Sequence, residues 1–239
     1  MNIGLWQKRL KVAVGFPALI ALAACGGEVA VEPEDGTIEE GELAIPVMGE
    51  EVRIVAFGDS LFAGYNLAAE EGYPERLEAA LRGRGINARV VDAGVSGDTS
   101  SAGLTRLAFV LDNQPEKPDL FILELGGNDL LRAIQPAETR ANFEAMLDEL
   151  QAREIPVLLM GMRAPPNAGP EFQADFDAIY GELAAEYDTA LIPFWLEDIY
   201  QDPSLFQRDR IHPTAEGIEA LVASTIDDVQ AALPDDEEG

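Results

Sequence analysis

One cysteine and one histidine stand among 239 residues, and 16 Lys and Arg face 44 Asp and Glu, for a net charge of −28. The first scarcity excludes a Cys/His metal site, which takes three or four of its ligands from those residue types. An all-carboxylate site stays open to so acidic a chain, but no metal and no cofactor are expected. The shortage of cations argues against nucleic acid as a partner, because excess negative charge repels phosphate backbones and anionic membrane surfaces. The bland reading of so many acids is a solvated surface. The apolar run over residues 12–24 falls short of the roughly 20 residues a membrane-crossing helix needs, and Gly15 and Pro17 interrupt it. There is no internal repeat, and nothing points to a protein partner. What remains, 47% hydrophobic, is enough for one sizeable core.

The N-terminal run has another use. Lys8, Arg9 and Lys11 precede it, the charge pattern of a secretory signal. It ends in Leu22-Ala23-Ala24-Cys25 followed by Gly26 and Gly27, which resembles a bacterial lipoprotein signal. That resemblance implies cleavage before Cys25 and lipid attachment to it, hence an exported periplasmic protein anchored by lipid to a bacterial membrane. The alternative is ordinary cleavage after Ala21-Leu22-Ala23, releasing a soluble periplasmic product. The chain then divides into a signal at 1–24, an acidic flexible tether at 25–50, a folded domain at 51–234 and a disordered acidic tail at 235–239. The tether is too rich in Gly, Glu, Pro and Asp to bury the surface that folding requires.

Within the folded part, five short runs rich in Val, Ile and Leu (52–57, 88–91, 120–125, 156–160, 190–192) alternate with amphipathic stretches. The runs do not alternate apolar with polar, as befits strands covered on both faces. Phe143, Met146, Leu147 and Leu150 repeat at helical spacing, as do Phe172, Phe176, Ile179, Tyr180, Leu183 and Tyr187, and these stripes are expected to face the core. A last helix is expected from near Pro213 to about Leu233. The pattern predicts an α/β fold, a three-layer α/β/α sandwich on a parallel sheet, with the ligand site at the carboxyl ends of the strands.

The strand ends carry the candidate chemistry. The first ends in Gly58-Asp59-Ser60-Leu61, where Ser60 is either a nucleophile at the sheet edge or a helix cap. The second ends in Asp92-Ala93-Gly94-Val95-Ser96-Gly97-Asp98-Thr99, whose glycines let backbone amides approach a ligand. The third ends in Glu124-Leu125-Gly126-Gly127-Asn128-Asp129, two glycines again and then a side-chain amide that can donate. Each of these is, alone, also an ordinary turn. Near the C terminus, Asp209 and His212 are close enough in sequence for the carboxylate to hold one ring nitrogen while the other faces a nucleophile. His212 is the only histidine available as a neutral-pH base.

Together these four segments, with Asp-x-x-His-Pro at 209–213, resemble the GDSL family, also called SGNH hydrolases, from about residue 52 to 233. The Arg163-Ala164-Pro165-Pro166-Asn167 stretch is similar to its arylesterase, acyl-CoA thioesterase I and lysophospholipase branch. The resemblance implies a flavodoxin-like sheet of five parallel strands. It implies Ser60, Asp209 and His212 as the catalytic residues, an acyl-enzyme on Ser60, and an oxyanion hole made by Ser60, Gly97 and Asn128. The implied substrates are small-molecule esters or lipids: aryl and short-to-medium acyl esters, with thioesters and lysophospholipids within reach. The loops 129–135 and 163–170 are expected to line the acyl pocket. A carbohydrate O-deacetylase and a non-catalytic periplasmic binding module are the alternatives on the same scaffold.

Overall fold

A computed structural model describes residues 47–234. The signal, Cys25, most of the tether and the acidic tail lie outside these residues. Five strands, β1 (Val52–Gly58), β2 (Ala88–Gly94), β3 (Leu120–Glu124), β4 (Val157–Met160) and β5 (Ala190–Ile192), form one sheet in the order β2-β1-β3-β4-β5. Every pairing is parallel. Among the described residues, no helix is long and apolar enough to cross a membrane.

Helices cover both faces of the sheet, which is why the strands read as unbroken apolar runs. Successive strand side chains point to opposite faces. Ile54 and Ala56 therefore join a core with α1 (Tyr73–Gly83) and α6 (Ala215–Ala231), while Val55 and Phe57 join a second core with α2 (Ser100–Asp112), α4 (Pro136–Ala152) and α5 (Pro170–Tyr187). The short α3 (Gly127–Leu131) follows β3. Phe143, Met146, Leu147 and Leu150 are buried in the second core. In the α5 stripe Phe176, Ile179, Tyr180 and Leu183 are buried, while Phe172 and Tyr187 at its ends are only partly covered.

Three expectations need correcting. β2 is an edge strand, half-exposed along most of its length, because only β1 pairs with it. It also continues to Gly94 rather than ending at Val91, since its register follows β1 to the Gly58–Gly94 pair. The last helix starts at Ala215, not Pro213. Thr214 caps it by accepting from the Gly217 N–H, and Pro213 instead bridges to Phe206.

Two features fasten the turn after β1. Phe62 packs against Tyr73 (ring centroids 5.2 Å, stacked) and edge-on against Trp195 (5.5 Å), all three fully buried. Such aromatic pairs contribute about 0.5–1.5 kcal/mol each beyond the area they bury. On the other side, the backbone of Gly94 presses against the turn so closely that a Cβ there would stand 2.5 Å from the Ala63 nitrogen and 3.0 Å from the Asp59 carbonyl oxygen. Those two atoms are hydrogen-bonded to each other at 3.0 Å, so neither can yield. Gly94→Ala should therefore lower stability by about 1–3 kcal/mol, as overpacking does. Denaturant melts check this, and an unchanged midpoint would show that the turn is not clamped here.

Candidate active site

The turn after β1 presents Ser60. Asp59 Oδ1 accepts the Leu61 N–H at 3.0 Å, closing a tight turn, and Leu61 and Phe62 are buried beneath it. Residues 60–66 form successive turns and no α-helix starts at Ser60. The capping alternative for this serine therefore does not apply. Its Oγ lies instead 2.8 Å from His212 Nε2.

His212 comes from the opposite end of the chain. Arg210 takes a left-handed conformation (φ 62°), which folds residues 209–212 back on themselves. Asp209 Oδ1 accepts the backbone N–H groups of Ile211 and His212, and its Oδ2 lies 2.8 Å from His212 Nδ1. Burial works to raise the Asp209 pKa, but the hydrogen bonds from the His212 ring and these two amides prevail and hold it below the usual value. An ionised carboxylate only accepts, so Nδ1 carries the proton and Nε2 is left free to take one from Ser60. The loop is fastened to the serine turn by Gln207, whose side-chain N–H groups reach the Tyr65 and Pro213 carbonyls at 2.8 and 2.9 Å. Tyr65 lays its ring on the imidazole, centroids 4.4 Å apart.

Gly97 and Asn128 lie beyond the two neighbouring strand ends. The turn holding Gly97 is tied to β1 by the Val95 N–H, which donates to the Gly58 carbonyl at 3.0 Å, and to the segment after α3 by Arg132, which donates to the Gly97 carbonyl at 2.8 Å. Asn128 is the second residue of α3. Its N-cap, Gly126, is left-handed (φ 106°), and a Cβ there would stand 2.2 Å from the Tyr180 hydroxyl, so a side chain at this position is both strained and crowded. Asn128 Nδ2 donates to Asp59 Oδ2 at 2.8 Å. Its neighbour Asp129 is fully buried and accepts from the Ser100 backbone and hydroxyl and from Thr139, which locks α3 to the start of α2.

Sequence reasoning gave no role to two acids within the strand-end motifs, Asp59 and Glu124, and missed apolar side chains without a motif. Glu124, at the end of β3, is fully buried, and its Oε2 accepts the Asp59 N–H at 3.4 Å. Burial raises the Glu124 pKa well above the ordinary value, with the nearby Asp59 charge adding to it; the Asp59 amide opposes this without prevailing. Burial likewise raises Asp59 to about 6, against the Leu61 amide, Asn128 and His212, which favour its charge.

Beside Ser60 and His212 runs an apolar groove of about 270 Å³. Leu130, Leu131 and Pro165 line it from the two loops expected to do so, but Asp129 is buried away from it. Much of the wall is Leu196, Tyr200, Pro203 and Phe206, from the segment after β5, together with Ile211. Arg163 joins these two parts of the wall, pairing with Glu197 at 3.1 Å and lying 4.2 Å over the Phe194 ring.

Residues 56–220 match the GDSL-like Lipase/Acylhydrolase family. The Esterase TesA of Pseudomonas aeruginosa is 41% identical over 160 residues, covering 67% of this chain and 79% of that protein. The Thioesterase 1/protease 1/lysophospholipase L1 of Escherichia coli (strain K12) is 39% identical over 163 residues, covering 68% of this chain and 76% of its own length. The crystal structure of AlinE4, described as an SGNH-hydrolase family esterase, is 60% identical, covers 79% of this chain and 100% of that one, and superposes with a TM-score of 0.67.

The buried glutamate has a consequence for stability. Because its pKa is raised on folding, its contribution is fully present below the unfolded value and is lost as pH rises toward the folded one, at about 1.4 kcal/mol per pH unit for one proton. Glu124→Gln keeps an acceptor for the Asp59 amide without the titration. It should melt above the wild type at pH 8, with the gap narrowing toward pH 5. A pH-independent gap in melting temperature would show that Glu124 is not buried as an acid.

Proposed function

The chain belongs to the GDSL-like lipase/acylhydrolase family and is a serine ester hydrolase, and from that premise we propose that Ser60 is its nucleophile, His212 its base and Asp209 the group that orients the base. The observation that supports this most directly is the unbroken relay of 2.8 Å contacts from Ser60 through both ring nitrogens of His212 to Asp209. Ser60 Oγ attacks the acyl carbonyl while Nε2 takes its proton, and Asp209 stabilises the imidazolium. The backbone amides of Ser60 and Gly97 and the side-chain amide of Asn128 receive the oxyanion. His212 then protonates the leaving alcohol, and the acyl-enzyme on Ser60 is hydrolysed by water that His212 deprotonates.

The groove supports neutral esters with short-to-medium acyl or aryl groups. Its volume of about 270 Å³ lies near the lower end of small-molecule pockets, roughly 300–1,000 Å³. Thioesters and lysophospholipids use the same chemistry, but a net charge of −28 disfavours a polyanion such as acyl-CoA. The relatives named above as esterases and a thioesterase do not favour a carbohydrate O-deacetylase or an inert binding module. We further propose that the product is exported and held at a membrane by lipid on Cys25, with residues 25–50 as its tether. The lipoprotein-like Leu22-Ala23-Ala24-Cys25 pattern behind a basic and apolar leader supports this.

A p-nitrophenyl ester series from acetate to dodecanoate should show turnover peaking at short to medium chains, and Ser60→Ala should lose turnover and labelling by a fluorophosphonate probe together. Labelling retained by the variant would remove Ser60 from its role. When the full chain is produced in a bacterial host, Cys25→Ser should abolish incorporation of radiolabelled palmitate and release the protein from the membrane fraction. An unlabelled wild type would instead mean ordinary signal cleavage.

A further inference from the structure

Two buried acidic residues adjoin behind Ser60, and among the described residues neither forms an ion pair with a cation. Glu124 is fully buried, Asp59 is 1% exposed, and the Asp59 amide donates to Glu124. The neighbouring arginine is committed elsewhere, Arg106 pairing with Asp98 and donating to the Gly58 carbonyl. Burial disfavours the charge on each, and a charge on one disfavours a charge on the other, so the pair keeps a proton. Donors decide where it resides. Asp59 accepts from Leu61 at 3.0 Å and from Asn128 at 2.8 Å, whereas Glu124 has one long bond at 3.4 Å and its Oε1 has no partner.

We infer that Asp59 is a positioning residue of the oxyanion hole, an ionised carboxylate that orients the Asn128 amide, while Glu124 behind it holds the proton the pair retains. This rests on the proposed role of Asn128 as an oxyanion donor. An ionised carboxylate only accepts, so it admits one orientation of that amide, with Nδ2 toward Asp59 and the second N–H available to the cleft. The flipped amide would set its carbonyl oxygen against the carboxylate. Protonated Asp59 loses this selection, because its O–H donates equally well to Oδ1 and so holds the amide with a carbonyl lone pair where the oxyanion needs a donor. The hole is then switched off without any change of fold.

The groups facing Asp59 are Glu124 from β3, Asp98 with its partner Arg106, His212, and the Tyr180 hydroxyl from α5. Burial among them holds Asp59 at about 6, so it is charged at neutral pH and protonated in mild acid. Activity should therefore fall on acidification as Asp59 takes up its proton.

The test is a double-mutant cycle on p-nitrophenyl butyrate, with kcat and KM measured from pH 4.5 to 9 and folding followed by circular dichroism. Asn128→Ala should lose about 10²–10³-fold in kcat, as loss of an oxyanion donor does. Asp59→Asn should lose about 10–10²-fold in kcat with KM within about twofold, and the double variant should be no slower than Asn128→Ala, as expected of groups acting as one unit. The acid limb of log kcat/KM should be steeper in the wild type than in either single variant. Multiplying losses in the double variant, or the same limb in wild type and Asn128→Ala, would overturn the inference, and the second comparison holds even if Asp59→Asn fails to fold. Near-normal kcat in Asn128→Ala would instead sink the proposed oxyanion hole itself, and Ser60→Ala reports separately on the nucleophile.

Discussion

Parallel pairing of β1 between β2 and β3 is the constraint on which the site depends. With Gly58 opposite Gly94 and Phe57 opposite Leu123, three chain segments leave the sheet at one edge, each about 4.8 Å from the next. The Ser60 turn, the Gly97 turn and Asn128 are therefore neighbours by construction. Parallel strands require crossovers, and the helices that make them cover both faces of the sheet. The resulting rigidity reaches the serine through Phe62, whose ring is wedged against Tyr73 and Trp195 only two residues away. His212 alone arrives by another route, and Gln207 fastens its loop to the carbonyl of Tyr65.

The molecule treats its excess of acid in two ways. Most carboxylates are solvated, but Asp59, Glu124 and Asp129 are buried within or beside the site. None forms an ion pair among the described residues; amides, hydroxyls and the Asn128 side chain donate to Asp59 and Asp129, while Glu124 accepts only one long bond. Hydrogen bonds of this kind have direction, whereas a Lys or Arg point charge would pull on several groups at once. Arginines act one layer out. Arg106 joins Asp98 to the end of β1, Arg132 holds the Gly97 turn, and Arg163 braces the groove wall.

How much of this could be read from the chain varies with the range of the interaction. The five strands were legible because burial on both faces leaves an unbroken apolar signature. Their ends were misjudged at β2, where pairing with a single neighbour permits exposed residues such as Asp92 to stay in the strand. Ser60, Asp209 and His212 were legible because nucleophile and base chemistry is restricted to few residue types, and this chain holds one histidine. Glu124 stood in the third strand-end motif without a role, since an acid at a strand end is ordinary until three-dimensional packing surrounds it. The groove wall from Leu196 to Phe206 was overlooked for the opposite reason, as leucine and aromatic side chains are assigned to a core by default.

The linear order of residues by itself determined the layered α/β architecture, the residue types available for acyl transfer and the acidity of the surface, because apolar periodicity, composition and charge are properties of the chain taken locally. Tertiary structure alone decided that Ser60 meets His212 across 152 positions, that Asp59 reaches Asn128 rather than solvent, and that Glu124 has no counter-charge. Each of these depends on which strand lies beside which and on how completely water is shut out between them, and neither is a property of any single segment.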